Sequence, residues 1–292
     1  MVSFVSAGPA GRLHRGGRNR SPVLDTNLAP SGGDQVLSAV CCLLSFGVGD
    51  EWSAADLFDE DYLAFYLPRI SDEASDAEAV LIWELLELQA GSAVLDLACG
   101  HGRISNRLAA AGATLTGLDA TPLFLDLARS GAADRGLEVD YVQGDMREMP
   151  WRERFDAVVS WFTAFGYFDD DQNRQVLGDV HRVLRPGGRF LIELNHKDGL
   201  LSTWMPATVA RDGEAVMLDE REWDPMTGRS NNWRTIIRDG HVRTSFFFTR
   251  LFSFTELRDW LLAAGFSAVH GIAGDGAPLT RTSRRMILIA TK

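Results

Sequence analysis

Short apolar runs alternate with amphipathic segments along the middle of the chain. The apolar runs predict strands at Ala93–Leu97, Thr114–Leu118, Val139–Gln143, Phe155–Trp161 and Arg189–Leu194. The segments between them predict helices at Arg103–Ala111, Pro122–Arg135 and Asp171–Leu184. Strands separated by helices of this length need crossover connections. We therefore expect a doubly wound α/β fold, with a mostly parallel sheet covered on both faces.

The alternation stops after Asn195 and gives way to β-prone segments joined by turns. Asp224–Gly228 and Asp239–Gly240 are turn signals, so the sequence predicts a small antiparallel β insertion at 200–251. The remaining predicted elements, which return the chain to the main sheet at 252–292, are a helix at Thr255–Ala264 and strands at Phe266–Ile272 and Arg285–Ala290.

The predicted insertion is rich in tryptophan and arginine. Its tryptophans and arginines are Trp223, Trp233, Arg221, Arg229, Arg234, Arg238 and Arg243. An apolar and cationic wall of this kind fits the roof of a ligand pocket, and an edge strand equally fits pairing with a second subunit. We expect a pocket roof that also contacts a partner subunit in a homodimer.

Two further regions precede the first strand. Residues 1–45 begin with a stretch rich in Gly, Arg, Ser and Pro, and we expect a disordered or weakly ordered extension there. Residues 46–90 contain an aromatic-rich segment ended at Pro68 and an amphipathic helix at Ser75–Gln89. We expect these helices to fold over the main domain as a lid.

The charge and cysteine content of the chain restrict the kinds of partner, metal and location that are expected. The 292 residues include 29 Lys and Arg against 40 Asp and Glu, a net charge of −11. Such a chain repels phosphate backbones and anionic membranes, so neither nucleic acid nor a membrane is expected as a partner. Cys41, Cys42 and Cys99 form neither a disulfide framework nor a zinc-ligand spacing, so we expect no metal and a cytoplasmic location.

The strand at Ala93–Leu97 leads through a glycine turn, ending at Gly102, straight into a helix. Glycines at such a turn let the backbone approach a nucleotide-like ligand. A dinucleotide site would place a third glycine where this chain has Ser105, and it would bind a pyrophosphate that Asp96 repels. Asp96 suits the cationic amino group of a methionine moiety, and Asp119 has the spacing of a carboxylate that binds a ribose diol. The pattern favours an adenosine with an amino-acid tail.

These landmarks, together with Gly144–Met146, Phe155–Phe162 and Leu184–Gly188, resemble the class I S-adenosylmethionine (SAM)-dependent methyltransferase family from about Ala90 to Leu194. The resemblance implies a seven-stranded sheet with an antiparallel C-terminal hairpin and a SAM-binding core at 91–199. It implies SAM as the cofactor and S-adenosylhomocysteine as the product. The cofactor-binding residues that it implies are Asp96, Ala98, Cys99, Gly100 and Gly102 toward the methionine part, Asp119 and Ala120 toward the ribose, Asp145 and Met146 toward the adenine, and Trp161 after the fourth strand.

The methyl acceptor is expected where the fourth and fifth strands end. Ser160–Thr163 lacks the Asn/Asp-Pro-Pro-aromatic signature of the related enzymes that methylate nucleobases or glutamine amides, so we expect a small-molecule acceptor. His196 is the candidate catalytic base, because its pKa can be tuned to neutral pH; a hydrogen-bonded spectator is the open alternative. The candidate substrate-binding residues are Tyr62, Tyr66, Phe162 and Tyr167, whose aromatic faces can attract a sulfonium or line the acceptor site.

The sequence therefore predicts an enzyme that transfers a methyl group from SAM to nitrogen or oxygen of a small molecule, in specialised metabolism. Carbon methylation of an aromatic or quinone-like acceptor is the alternative reaction. A non-catalytic SAM-binding subunit is the alternative from another class. A nicotinamide-dependent oxidoreductase is opposed by Asp96 before the turn and Ser105 after it.

Overall fold

The computed structural model of the protein describes residues 57–292. The predicted extension at 1–45 and the first part of the predicted lid region, 46–56, lie outside the described residues. The described chain contains a seven-stranded sheet and a separate four-stranded sheet. The larger sheet carries the glycine turn, and the smaller one is the insertion.

The larger sheet is a parallel sheet with an antiparallel edge. Its strands are β1 (Ala93–Leu97), β2 (Thr114–Asp119), β3 (Asp140–Gln143), β4 (Phe155–Ser160), β5 (Leu184–Asn195), β10 (Ala268–Ala273) and β11 (Arg285–Thr291). Their order is β10-β11-β5-β4-β1-β2-β3, and only the β11–β5 and β10–β11 pairs are antiparallel. The predicted fold class is confirmed. Strand order reverses between β1 and β4, so the crevice at the carboxyl ends of these strands is the expected ligand position.

Side-chain caps mark where several helices begin. The helices are α1 (Glu60–Tyr66), α2 (Asp72–Leu85), α3 (Ser105–Ala110), α4 (Pro122–Ala133), α5 (Asp170–Val183), α6 (Lys197–Ser202) and α7 (Phe254–Ala263), and a short 3-10 helix covers Leu67–Arg69. The Asp59 carboxylate accepts from Tyr62 N at 2.9 Å and starts α1, and Asp169 accepts from Gln172 N at 2.8 Å and starts α5. None of the described helices is long and apolar enough to cross a membrane.

The fifth strand begins earlier than predicted. The predicted helix ended at Leu184 and the predicted strand started at Arg189, which left Pro186–Gly188 between them. In the structure β5 begins at Leu184, and the register between β4 and β5 shifts just after Phe155. Gly188 O accepts a hydrogen bond from the backbone of Lys292 at 2.9 Å, so the Pro-Gly-Gly residues form an irregularity inside the strand instead of a separating turn.

The core has two layers, one on each face of the larger sheet. Along β4 the side chain of Val158 packs on one face, and those of Ala157 and Val159 pack on the other. Helices α5 and α7 cover the Val158 face, and helices α2 and α3 cover the opposite face, through Leu177 and Leu257 in the first case and Ile82 and Leu108 in the second. This two-sided burial holds β1 and β4 in place beneath the crevice.

The insertion is an antiparallel sheet, as predicted. Its strands, in spatial order, are β6 (Ala207–Asp212), β7 (Ala215–Asp224), β8 (Arg229–Arg238) and β9 (His241–Arg250). The two predicted turns join β7 to β8 and β8 to β9. The hairpin at Gly213, where φ is +57°, was not predicted.

Several arginines of the insertion pair with carboxylates, and the role of the insertion as a pocket roof or dimer surface stays a prediction. Arg234 donates to Asp219 at 2.7 Å and to the hydroxyl of Tyr66 on α1 at 2.9 Å. Arg238 donates to Asp61 on α1 at 2.8 Å. These side chains therefore fix the first helix of the predicted lid to the insertion sheet.

Candidate active site

The turn after β1 adopts a left-handed backbone at three residues. The φ angles are +59° at Ala98, +56° at Gly100 and +76° at Gly102. A Cβ at Gly102 would lie 2.8 Å from the Cβ of Ala128 on α4 and would also clash with the hydroxyl of Tyr141. Glycine is therefore required at Gly102 for both conformation and space.

Asp96 lies within β1 just before the turn and is 2% exposed. Its Oδ2 accepts a hydrogen bond from Ser105 Oγ at 2.5 Å. Ser105, which occupies the position of the third glycine in dinucleotide sites, thus donates a hydrogen bond to this carboxylate. Burial raises the pKa of Asp96 to about 6, although Ser105 and Arg103 act to lower it. A desolvated carboxylate of this kind is stabilised by a cationic group on a ligand.

Asp119 ends β2 and connects it to the turn. Its Oδ2 accepts from Gly100 N at 2.8 Å, and its Oδ1 accepts from Thr121 N at 2.8 Å. Burial raises the pKa of Asp119, and the backbone hydrogen bonds from Thr121 and Gly100 oppose that rise. Beside it Ala120 is exposed, whereas Cys99 is buried, and burial raises the pKa of its thiol.

Asp145 and Met146 follow β3 at the same edge of the sheet. Arg147 contacts both carboxylate oxygens of Asp145, with Nε 3.0 Å from Oδ1 and Nη2 2.6 Å from Oδ2. Burial acts to raise the pKa of Asp145, but the hydrogen bonds from Arg147 outweigh it and the pKa is lowered. Met146 is partly buried against the core. Asp145 is therefore an ionised acceptor, as the predicted adenine contact requires.

Aromatic side chains from separate elements meet at the carboxyl edge of the sheet. Tyr62 stacks on Tyr66 with ring centroids 4.4 Å apart, and its ring lies 5.8 Å from that of Phe124 on α4. Phe58 lies 5.2 Å from Tyr62 and 5.7 Å from Tyr167, which comes from the loop after β4. These five residues are called the aromatic cluster below. It brings together three of the four predicted substrate-binding residues.

Phe124 joins the aromatic cluster to the glycine turn. A Cβ at Gly100 would lie 3.8 Å from the Phe124 ring, so the ring packs over this part of the turn. Sequence reasoning missed Phe124 because a phenylalanine in the first turn of a helix is typical of ordinary core. Burial raises the pKa of Tyr167 to about 12 and also raises that of Tyr62, so both hydroxyls keep their protons at neutral pH.

The loop after β4 carries Phe162, the fourth predicted substrate-binding residue. Phe162 is 36% exposed, and its N–H donates to Glu193 Oε2 at 2.8 Å. The preceding Trp161 is buried in the core, and its Nε1 donates to Glu78 Oε2 at 3.0 Å. The cofactor contact of Trp161 stays a prediction. Glu193 and Glu78 were not singled out in the sequence, because their neighbours here are distant along the chain.

His196 is buried just past β5. Its Nδ1 lies 3.0 Å from the carbonyl oxygen of Ser283, and its Nε2 lies 3.7 Å from Asp198. Its backbone forms a bridge with Phe252. These contacts connect the ring to the loop before β11 and not to the aromatic cluster, which favours the hydrogen-bonded alternative. The role of His196 as a base stays a prediction.

Comparison with known proteins identifies the family of the protein. A family model described as a methyltransferase domain matches residues 94–188. Over 217 residues the chain is 30% identical to the cypemycin N-terminal methyltransferase of a Streptomyces species, a match that covers 68% of this chain and 82% of that relative. The chain belongs to the class I SAM-dependent methyltransferases.

Two further matches agree with the fold of this methyltransferase. The CcbJ methyltransferase of Streptomyces caelestis superposes with a TM-score of 0.70 at 21% identity, covering 82% of this chain and 98% of that one. An uncharacterized methyltransferase of Synechocystis sp. is 34% identical over 126 residues, which are 43% of this chain. The chain spans 58% of the length of that relative.

The residues at the turn fit the SAM that the methyltransferase family uses. SAM carries a cationic amino group and a ribose diol, and the structure places two buried carboxylates at the glycine turn, with Asp96 just before it and Asp119 bonded to Gly100 N within it. We expect Asp96 to hold the amino group, Asp119 the diol and Asp145 the adenine amino group. When bound, the sulfonium supplies an electrophilic methyl group, and the protein must align the acceptor and exclude water. Within residues 57–292, no group of three or more His, Cys, Asp and Glu side chains could hold a metal ion.

The buried state of Asp96 predicts a pH dependence of cofactor affinity. Because burial raises the pKa of Asp96 to about 6, the free methyltransferase protonates this carboxyl below that pH and loses the charge that attracts the amino group. We expect the affinity for S-adenosylhomocysteine to fall by up to about tenfold per unit as pH drops below 6. Calorimetric titrations between pH 5 and 8 measure it.

Two variants test the assignment of this pH dependence. Asp96→Asn should bind S-adenosylhomocysteine more weakly at pH 8 and lose the dependence below pH 6. Asp126→Asn, which changes an exposed carboxylate on α4, should retain it. A dependence that persists in Asp96→Asn would assign the titration to another group and contradict the predicted contact.

Proposed function

We propose that this methyltransferase transfers a methyl group to nitrogen or oxygen of a small-molecule acceptor, in specialised metabolism, and that an amine nitrogen is the preferred atom. The aromatic cluster carries the proposal. It packs Phe124 over the turn and Phe58 against both Tyr62 and Tyr167, and Tyr167 in turn stacks on Phe247 of β9 at 6.4 Å. Aromatic rings packed beside the glycine turn suit the binding of a small acceptor away from water.

Protonation favours nitrogen over oxygen. A hydroxyl acceptor must lose a proton during transfer, whereas an amine needs only to be in its neutral form. The nearest titratable groups of the aromatic cluster are phenols, and the raised pKa values of Tyr62 and Tyr167 make them poor bases at neutral pH. Aromatic faces also attract the cationic form of an amine before it loses its proton. The relative whose name specifies N-terminal methylation of cypemycin is consistent with an amine acceptor.

A panel of acceptors tests the proposal. The protein is incubated with SAM and one acceptor at a time. The acceptors are a short peptide bearing a free N-terminal amine, an amino sugar, a simple phenol and a naphthoquinol. Mass spectrometry detects the addition of one methyl group, and the position is assigned by NMR. We expect methylation of at least one amine or hydroxyl acceptor, with amines favoured.

The control is Asp119→Ala, which removes the predicted ribose contact and should abolish transfer at low SAM concentration. Methylation confined to carbon of the naphthoquinol would replace the proposal with the alternative reaction. Tight binding of S-adenosylhomocysteine without transfer to any member of the panel would contradict the proposed acceptor class.

A further inference from the structure

Two consecutive residues after β4 hold a strained backbone. The φ angle is +67° at Phe162 and +57° at Thr163, and neither is glycine. A non-glycine residue in the left-handed region is strained and persists only where surrounding contacts enforce it. This strained pair lies between β4 and Tyr167, in the loop that supplies residues to the predicted acceptor site.

Glu193 receives hydrogen bonds from both residues of the strained pair. Its carboxylate Oε2 accepts from Phe162 N at 2.8 Å, and its backbone oxygen accepts from Thr163 N at 3.1 Å. The side chain is 2% exposed. A buried carboxylate is costly unless it is paired and hydrogen-bonded, so its contacts hold it firmly in one arrangement.

Arg285 at the start of β11 is the ionic partner of Glu193, contacting both carboxylate oxygens through Nε and Nη2. Its Cζ lies 5.1 Å from the centroid of the Phe162 ring, and the Cζ of Arg103 lies 5.5 Å from the same ring. Burial lowers the pKa of Arg285 to about 10, which still leaves it charged at neutral pH. The exposed Phe162 ring is therefore fixed between two guanidinium groups, that of Arg103 next to the glycine turn and that of Arg285, which is paired with Glu193.

We propose that Glu193 is the positioning residue of the acceptor site: paired with Arg285, it holds Phe162 and Thr163 in their strained conformation and so fixes the Phe162 ring as a wall against the acceptor. The role of the wall rests on the proposed function, whereas the role of Glu193 in holding the loop does not. Glu193 acts through its carboxylate contacts with the Phe162 backbone and with Arg285.

Glu193→Gln tests the proposal with little change of shape. Both carboxylate oxygens are used, and a glutamine has one acceptor oxygen and an amide group that faces the donors of Arg285. Hydrogen exchange measured by mass spectrometry on peptides covering 161–168 should show faster exchange at Phe162, which loses its carboxylate acceptor, by about 10- to 100-fold, whereas Thr163 keeps the backbone oxygen of residue 193 as its acceptor. Exchange at the glycine turn and the affinity for S-adenosylhomocysteine should stay within about twofold of wild type.

The same variant tests whether the Phe162 ring acts as a wall of the acceptor site. On the panel acceptor with the highest turnover, we expect kcat/KM for the acceptor to fall by about 10²-fold, while KM for SAM is unchanged. Glu220→Gln makes the same chemical change at an exposed position on the insertion sheet and should alter neither measurement. If wild type shows no transfer, the proposed function fails, and the exchange measurement alone still decides the role of Glu193.

A double variant guards against global unfolding. Glu193→Gln leaves the charge of Arg285 unpaired, so Glu193→Gln/Arg285→Gln removes both charges and should restore the melting temperature while the Phe162 amide still exchanges fast. Wild-type protection of Phe162 in either folded variant would overturn the proposal. Loss of protection spread evenly over the whole chain in both variants would also overturn it, because Glu193 would then support the fold and not the loop.

Discussion

Replacing Gly102 by alanine is expected to lower the free energy of unfolding by about 2–5 kcal/mol. Left-handed backbone costs an alanine about 1–2 kcal/mol, and forcing a methyl group into a packed site costs about 1–3 kcal/mol more. The φ angle there is +76°, and the new Cβ would lie 2.8 Å from the Cβ of Ala128, which is fixed to the backbone of α4. Relief requires that the turn and α4 move apart, so cofactor affinity should fall as well.

Gly100→Ala is the matched control for this prediction. Its φ angle of +56° carries the same conformational penalty, but its Cβ would meet Phe124 at 3.8 Å, an ordinary contact. Chemical denaturation of both variants should therefore show a loss of about 1–2 kcal/mol for Gly100→Ala and a clearly larger loss for Gly102→Ala. Equal losses would show that packing against α4 contributes nothing.

The fold and the cofactor landmarks could be predicted from the sequence because each depends on residues close together in the chain. Alternating apolar runs fix strands and helices locally, and the spacing from Asp96 to Gly102 is set within one turn. The position of Asp119 beside this turn could be predicted because parallel neighbouring strands end at the same edge of the sheet. The methyltransferase domain match covers residues 94–188, which contain these positions, and their contacts with the cofactor stay predictions.

The acceptor half of the site depends on contacts between distant segments, which periodicity does not encode. Tyr62 meets Phe124, and Glu193 meets Arg285, only once helices and strands have packed. His196 was selected for its residue type and its position after a strand, but the orientation of its ring toward Ser283 depends on a loop nearly ninety residues away. Residue type alone cannot determine where such a side chain points.

The start of β5 shows a second limit of the sequence patterns. Pro186–Gly188 has the composition of a turn, and the predicted strand started only after it, at Arg189. In the structure the backbone of Gly187 and Gly188 pairs with that of Lys292, and β4 pairs with Leu184 before these residues and with Arg189 after them. Tertiary hydrogen bonding of the flanking residues therefore keeps Pro186–Gly188 inside the strand as an irregularity and overrides the local preference for a turn.

Asp119→Ala is expected to weaken the binding of S-adenosylhomocysteine by about 10- to 100-fold, because a buried, charge-assisted contact with the ribose diol contributes about 1–3 kcal/mol. The structure adds a second effect. The same carboxylate accepts hydrogen bonds from Gly100 N and Thr121 N, so alanine also leaves these two N–H groups without their acceptor. Calorimetry with S-adenosylhomocysteine measures the combined loss.

Separating the two effects needs a ligand that lacks the diol. Asp119→Ala should lose affinity for S-adenosylhomocysteine and, to a smaller extent, for its 2′,3′-dideoxy analogue. Because the analogue has no diol, its loss of affinity relative to wild type reports only the disturbed turn. The difference between the two losses is then the contribution of the diol contact. Equal losses for both ligands would mean that Asp119 acts only by joining the end of β2 to the glycine turn. Unchanged affinity for both would remove it from the cofactor site.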